Sequence, residues 1–177
     1  MPDRRALEFR AQNGPIQGYL GLDVGSISTK VAVLDGDRRI LAKCYLMTAG
    51  QPLEAVRNVL KNIGDKIGDL VNIVGAASTG SGRYLTGDFI GADLVINEIT
   101  AQATAAAAID PDVDTVFEIG GQDSKYISLD HGVVVDFEMN HACAAGTGSF
   151  LEEQAERLGI CIKQQFGRMA RESRRPV

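Results

Sequence analysis

The chain has 177 residues, 18 lysines and arginines against 23 acids, and a formal net charge of −5. This acidic balance argues against a nucleic-acid groove, which requires clustered positive charge, and no apolar run is long enough to cross a membrane. Three cysteines of irregular spacing argue against a secreted disulfide scaffold and for a reducing cytoplasm.

The first part of the chain alternates between strand and helix patterns. Residues 1–17 are polar and lack the apolar segment of a signal peptide, so we interpret them as a linker-like lead. Strands are predicted near residues 18–24, 28–35 and 39–47, followed by a helix from Pro52 to about Gly68. Proline suits the first turn of this helix, and apolar residues recur along it at steps of three and four, namely Leu53, Val56, Leu60, Ile63 and Ile67.

The remaining elements predict one whole lobe and the start of another. A buried strand at 73–77, a mixed segment to Leu94 and an alanine-rich helix near 98–109 complete a first lobe over residues 18–111. The loop at 78–82 is open to two interpretations, a solvated connection or a phosphate contact. A second lobe is predicted over residues 112–177, with hairpins and a helix near 149–158 that Gly159 closes. The tail from Arg168 departs from a packed pattern.

The chain contains an internal repeat. Residues 22–35 and 117–130 align without a gap at an offset of 95. Each copy has an apolar strand that ends in a carboxylate, then a tight turn and a second alternating strand, which predicts a β-hairpin that holds something at its turn. Turn-favouring residues alone explain one such hairpin, but ordinary hairpin closure gives no reason for two matching copies.

The residue types at the two turns suit a phosphate clamp. Small residues allow backbone N–H groups to approach a polyphosphate closely, and they occur at Gly25, Ser26, Gly120 and Gly121. A carboxylate at the end of each strand, Asp23 and Glu118, can hold Mg²⁺ through its hydration waters or orient an attacking water.

These segments resemble a known family. Residues 20–36 and 116–130 resemble the two phosphate motifs of the superfamily that contains actin, sugar kinases and heat-shock chaperone ATPases. Together with the segment 140–148 (NHACAAGTG), they are similar to the ATPase activators of 2-hydroxyacyl-CoA dehydratases and the ATP-binding subunits of benzoyl-CoA reductase. The resemblance spans about residues 18–160. It implies an α/β, actin-like (ribonuclease H-like) ATPase fold with the first lobe complete and the second truncated.

The resemblance also implies ATP and Mg²⁺ as cofactors and assigns site residues. The catalytic set is Asp23, Glu118, Gln122 and Asp123, of which Gln122 and Asp123 would orient water. The cofactor-binding set is Gly25, Ser26, Ser28, Thr29, Lys30, Gly120 and Gly121. Two interpretations of Lys30 and Lys125 remain, a phosphate contact or a side chain that points outward. Glu98 is either part of a helix start, after Asn97, or an acid that faces the nucleotide cleft.

Cys143 precedes a glycine-rich turn and a helix start, where free N–H groups favour a thiolate. A lone cysteine is more often a small buried hydrophobe, and a four-cysteine cluster needs four thiolates. The resemblance implies a homodimer through the Cys143 helix, with one 4Fe-4S cluster between subunits, two cysteines from each, and the second of them beyond Val177. From the residues, Cys161 is interpreted as a structural thiol and Cys44 as part of the core.

The function that the resemblance implies is ATP-dependent electron transfer. Reduced ferredoxin or flavodoxin would charge the cluster, and ATP hydrolysis would drive the electron to an acyl-CoA dehydratase or reductase component. Two alternatives remain open. A small-molecule kinase of the same superfamily would share both phosphate motifs but leave Cys143 without a role, and a truncated lobe would bind nucleotide weakly without turnover.

Overall fold

The computed structural model describes residues 3–140 and 147–174. The chain divides into two compact units, Met1–Gln102 and Ala103–Val177. The division precedes the lobe boundary that the sequence placed after residue 111, and the predicted limits of the lobes stay a prediction.

The first unit is built on a mixed sheet. Its described strands lie in the order β3-β2-β1-β4-β5, where β1 is Ile16–Val24, β2 Ser28–Leu34, β3 Ile40–Met47, β4 Val71–Thr79 and β5 Leu94–Val95. The first three strands form an antiparallel meander, and β4 pairs parallel with β1. The three strands of the meander were predicted, whereas β4 is longer than the predicted 73–77 and β5 was not anticipated.

Helices cover this sheet. The predicted amphipathic helix is α2, Pro52–Ile67, with proline in its first turn. It contacts β2 and β3 and buries Val56, Val59, Ile63 and Ile67 in a core shared with the strands. Each such side chain contributes about 1.5–3 kcal/mol when fully buried. Helix α3, Arg83–Ile90, lies where the sequence showed only a mixed segment, and α4, Glu98–Ile109, agrees with the prediction.

The lead segment is more ordered than its composition indicated. Helix α1 spans Arg4–Arg10, and Leu7 is 2% exposed within the core of the first unit. Arg10 donates to the buried carboxylate of Asp35 at 2.6 Å. Burial alone would raise the pKa of Asp35, but the N–H of Arg39, the Arg10 guanidinium and the N–H of Asp37 together hold that pKa below its usual value.

The described part of the second unit contains an antiparallel sheet in the order β6-β7-β8. Strand β6 is Thr115–Ile119, β7 Ser124–Asp130 and β8 Val133–Met139. Helix α5, Gly148–Arg157, agrees with the prediction and is followed by Gly159 at a φ of +64°. A π-helical turn, Ile162–Phe166, leads into α6, Gly167–Arg171, so part of the tail that departs from a packed pattern is helical.

The repeat seen in the sequence extends to the backbone of three strands in each unit. In the first unit, the register of β2 against β3 shifts between Val33 and Leu34. In the second, the register of β7 against β8 shifts between Ser128 and Leu129, at the same offset of 95 residues. A β-bulge is a specific local feature of a sheet, so its recurrence at equivalent positions supports a duplicated meander.

Candidate nucleotide-binding site

The turn of the first hairpin is hydrogen-bonded to Thr48, the residue that follows β3. The N–H of Gly25 donates to the carbonyl of Ser28 at 2.9 Å, which closes the turn. The Thr48 hydroxyl donates to the Gly25 carbonyl at 2.8 Å and lies 3.0 Å from the hydroxyl of Thr29, which is fully buried. Thr29 therefore braces the turn from within. Its predicted contact with a cofactor stays a prediction, as does that of Ser26, which is exposed beside Gly25.

Asp23, the carboxylate at the end of β1, pairs across the hairpin with Lys30. The two residues are cross-strand partners, and Lys30 Nζ lies 2.8 Å from Asp23 Oδ2. The Lys30 side chain is 46% exposed and the Asp23 side chain is 32% exposed. Exposed pairs of this kind contribute about 0–1 kcal/mol to stability. The carboxylate and the ammonium beside the turn are therefore accessible to solvent, and their ion pair contributes little to the stability of the fold.

The loop at 78–82 packs against the end of β1. A Cβ at Gly80, whose φ is +89°, would lie 2.5 Å from the Val24 carbonyl oxygen and 2.6 Å from Asp23 Oδ1. The N–H of Gly82 donates to that same Val24 carbonyl at 2.9 Å. The loop backbone is therefore in contact with the first hairpin, and its contact with phosphate stays a prediction.

Thr79 adds an unsatisfied group at this corner. It is the parallel cross-strand partner of Asp23, and its hydroxyl oxygen is buried without a hydrogen-bond partner. Buried hydroxyls are ordinarily bonded to protein or water. Together with the close approach of Gly80 to the Asp23 carboxylate, this orphaned oxygen fits a hydrated cation or an ordered water beside Asp23.

The start of α4 in the first unit has the predicted helix cap, whereas the orientation of Glu98 toward a nucleotide stays a prediction. The Asn97 side chain accepts from the N–H of Thr100 at 2.8 Å, which is the expected helix cap. Glu98 Oε2 lies 3.2 Å from Arg83 Nη1, which also donates to the Gly80 carbonyl. Glu98 is thus linked through Arg83 to the loop beside Asp23.

The second hairpin repeats the first in its own unit. The N–H of Gly120 donates to the Asp123 carbonyl at 2.8 Å, and Lys125 Nζ lies 3.0 Å from Glu118 Oε2 across the strands. Gln122 and Asp123 are exposed at the tip. A Cβ at Gly120 would lie 3.0 Å from the Asp123 carbonyl oxygen and 3.1 Å from Glu118 Oε1. The space between turn and carboxylate therefore suits glycine.

The start of α5 is bonded to this turn. The N–H of Gly148 donates to the Gly120 carbonyl at 2.8 Å, and the N–H of Ser149 donates to the Gly121 carbonyl at 3.0 Å. Two backbone hydrogen bonds therefore join the start of the helix to the turn. The two hairpins belong to different units, and their meeting in one clamp stays a prediction.

A cavity of about 430 Å³ lies at the sheet of the second unit. Its lining residues include Phe117, Tyr126 and Glu138, which are cross-strand neighbours and so share one face of the sheet. Glu118 and Lys125, which alternate with Phe117 and Tyr126 along the strands, are also among its lining residues. The cavity therefore borders the Glu118–Lys125 pair.

Cys143, the predicted cluster ligand, lies outside the described residues. In residues 3–140 and 147–174, no group of three or more His, Cys, Asp or Glu side chains could hold a metal ion. Cys44 is half-buried beside the core, as predicted, whereas Cys161 is exposed rather than packed. No helix in these ranges has the length and apolar character needed to span a membrane.

Comparison with known proteins finds a matching family and several similar relatives. The BadF/BadG/BcrA/BcrD ATPase family model matches residues 20–176. The activator of lactoyl-CoA dehydratase from Anaerotignum propionicum is 39% identical over 149 residues, which are 82% of this chain and 55% of that protein. The (R)-2-hydroxyglutaryl-CoA dehydratase activating ATPase of Acidaminococcus fermentans is 37% identical over 147 residues, 81% of this chain and 54% of the relative.

A solved structure agrees with these relatives. The activator of the 2-hydroxyisocaproyl-CoA dehydratase from Clostridium difficile, with bound ADPNP, matches with a TM-score of 0.79 at 32% identity, over 90% of this chain and 59% of that one. The chain spans about half the length of the curated relatives it matches. The actin-like α/β fold predicted from the sequence is confirmed. The chain belongs to the BadF/BadG/BcrA/BcrD ATPase family.

Proposed function

We propose that the chain binds ATP with Mg²⁺ at its two hairpins. We also propose that it acts as an activator, or as part of an activator, of an acyl-CoA dehydratase or reductase component. One observation carries the proposal: both hairpins present a glycine turn, a carboxylate and a lysine in the same register. Stability alone does not call for the same arrangement twice. The names of two relatives, an activating ATPase and an activator of CoA dehydratases, support the proposal as well.

Different residues of the chain have different roles in phosphoryl transfer. The backbone at Gly25, Ser26, Gly120 and Gly121 cradles phosphates, with Ser28, Thr29 and Lys30 beside the first turn. Asp23 and Glu118 hold the hydrated cation or orient water, which the exposed Gln122 and Asp123 also reach. When bound, Mg²⁺ neutralises charge on the phosphates.

We further propose that Cys143 ligates a 4Fe-4S cluster shared between two subunits of a homodimer. The bonds from Gly148 and Ser149 to the second turn support a link between nucleotide and this helix, because a shift of the turn would displace the helix start that follows Cys143. The cluster would supply a low-potential electron, received from ferredoxin or flavodoxin. The cysteine content fits the reducing cytoplasm as the compartment.

Nucleotide binding tests the first part. We expect a fluorescent ATP analogue to bind the purified chain in the presence of Mg²⁺, to be displaced by unlabelled ATP, and to be released by EDTA. If the analogue binds with the same affinity in the presence and absence of Mg²⁺, the roles given to Asp23 and Glu118 are contradicted. Sugar-dependent turnover of ATP by a monomer would favour the kinase alternative, and nucleotide binding without any turnover would favour a non-catalytic lobe.

Anaerobic reconstitution with iron and sulfide tests the second part. We expect a dimer with the visible absorption and EPR signal of a 4Fe-4S cluster, and loss of both the signal and the dimer in Cys143→Ser. Cys161→Ser is the matched control, because Cys161 is exposed and its thiol has no assigned role. A cluster that survives Cys143→Ser would refute the assignment.

A further inference from the structure

Lys125 is a buried cation that the predicted site residues do not include. It is 8% exposed and is the one lysine or arginine in the buried class among the described residues. Along β7 the buried positions recur at every second residue, and after Lys125 they are Ile127 and Leu129, which are 0% and 5% exposed. These three residues share one face of the strand. Lys125 therefore continues an otherwise aliphatic buried stripe.

Stability does not explain a lysine at this position. Removing an ammonium from water carries a penalty that its partner only partly offsets, and well-packed apolar residues often replace a buried pair with no loss of stability. Ile127 and Leu129 show that the same face accepts aliphatic side chains. A third aliphatic residue would suit the fold at least as well as Lys125.

The partner of Lys125 points to a role beyond the fold. Its Nζ lies 3.0 Å from Glu118 Oε2, and Glu118 is 24% exposed, whereas the lysine side chain is 7% exposed. The buried partner of the pair is thus the lysine side chain and the more accessible partner is the carboxylate. Glu118 Oε1 is in turn the atom that a Cβ at Gly120 would approach to 3.1 Å. The ammonium fixes one carboxylate oxygen while the other lies beside the turn.

The first hairpin supplies an internal comparison. Asp23 and Lys30 occupy the same register, with Nζ and Oδ2 at 2.8 Å, but Lys30 is 46% exposed. An exposed lysine at Lys30 can move between its carboxylate and a ligand without leaving water. Lys125 lacks that freedom because its surroundings are buried. The two copies of the pair therefore differ in the exposure of the lysine.

We propose that Lys125 is a positioning residue of the second hairpin, whose ammonium fixes the Glu118 carboxylate in the orientation that receives hydrated Mg²⁺ with the nucleotide. This inference rests on the proposed function, since it assigns Lys125 to the same site. Partners that orient a metal-side carboxylate in this way are typically worth 10–100-fold in metal affinity. Lys125 acts through Glu118 and need not touch the nucleotide.

The test compares Lys125→Met and Lys125→Arg with the exposed control Lys61→Met. Two quantities are measured for each chain: the unfolding temperature without nucleotide, and the Mg²⁺ concentration that gives half-maximal binding of a fluorescent ATP analogue. We expect Lys125→Met to keep its unfolding temperature and to need at least about tenfold more Mg²⁺. Lys125→Arg, which keeps the cation, should remain within about threefold of wild type, and Lys61→Met should match wild type in both quantities.

Two results would overturn the inference while leaving the proposed function intact. One is a folded Lys125→Met with the wild-type requirement for Mg²⁺. The other is a Lys125→Met chain that unfolds while Lys125→Arg folds and shows the wild-type requirement, because Lys125 then serves the fold. If wild-type chain binds no Mg²⁺-dependent nucleotide, the proposed function fails and the inference fails with it.

Discussion

Substitution of Gly80 by alanine tests whether the loop at 78–82 is fitted to the first hairpin. At a φ of +89° an alanine is strained whatever the space, at a cost of about 1–3 kcal/mol. Its Cβ would also lie 2.5 Å from the Val24 carbonyl oxygen and 2.6 Å from Asp23 Oδ1, so the loop or the strand end must shift. We expect Gly80→Ala to lower the free energy of unfolding by about 2–5 kcal/mol in total.

Gly91→Ala is the matched control for this substitution. Gly91 has a φ of +64° and no atom within 4 Å of an added Cβ, so it bears the backbone strain without the collision. Urea denaturation gives the unfolding free energy of each variant. If the slope of that free energy with urea concentration is the same for both, their difference is the cost of the collision without the backbone strain. The Gly80 variant should be the less stable by about 1–2 kcal/mol and should bind nucleotide more weakly. Equal stability of the two variants would refute the contact between the loop and the Asp23 carboxylate.

Two other substitutions test the brace of the turn and the docking of α1. Thr48→Val removes the hydroxyl that donates to the Gly25 carbonyl and bonds Thr29, and urea denaturation should show a loss of about 1–3 kcal/mol that Thr48→Ser largely restores. Arg10→Ala removes the guanidinium partner of Asp35, so the variant should be less stable than wild type at pH 7. The folded pKa of Asp35 is lowered, so the stabilisation is present above its unfolded pKa of about 3.9 and is lost as the pH falls through the lower folded value. The stability difference between wild type and Arg10→Ala should therefore narrow below about pH 4, and a constant difference down to pH 2 would contradict the ion pair.

The two hairpins and α2 were predictable because their signals are local. Strand alternation, a tight turn and the gap-free repeat define each hairpin without tertiary information. The lysine–carboxylate pairs were also within reach. A hairpin closed between Gly25 and Ser28 must oppose Asp23 with Lys30, because both lie two residues outside the closing pair. Counting outward from the turn would have paired these side chains.

Other features depend on tertiary contacts that the sequence pattern does not carry. Helix α1 is polar and reaches the core through Leu7 alone, so it shows no apolar periodicity. Helix α3 contains Gly87 and exposes Tyr84 and Leu85, which weakens both its propensity and its pattern. The packing of Gly80 on Asp23 joins two elements that are distant in the chain.

The most direct test of the account is the affinity for ATP in the presence of Mg²⁺ after removal of each hairpin carboxylate. Asp23→Asn and Glu118→Gln keep the size of each side chain and remove its charge, and Asp130→Asn is the control because its side chain is 71% exposed. If both hairpins serve one nucleotide, calorimetry should give one ATP per chain, each single variant should bind at least about tenfold more weakly, and the control should match wild type. Wild-type affinity in either single variant would contradict the account, because that hairpin would then be an ordinary strand connection.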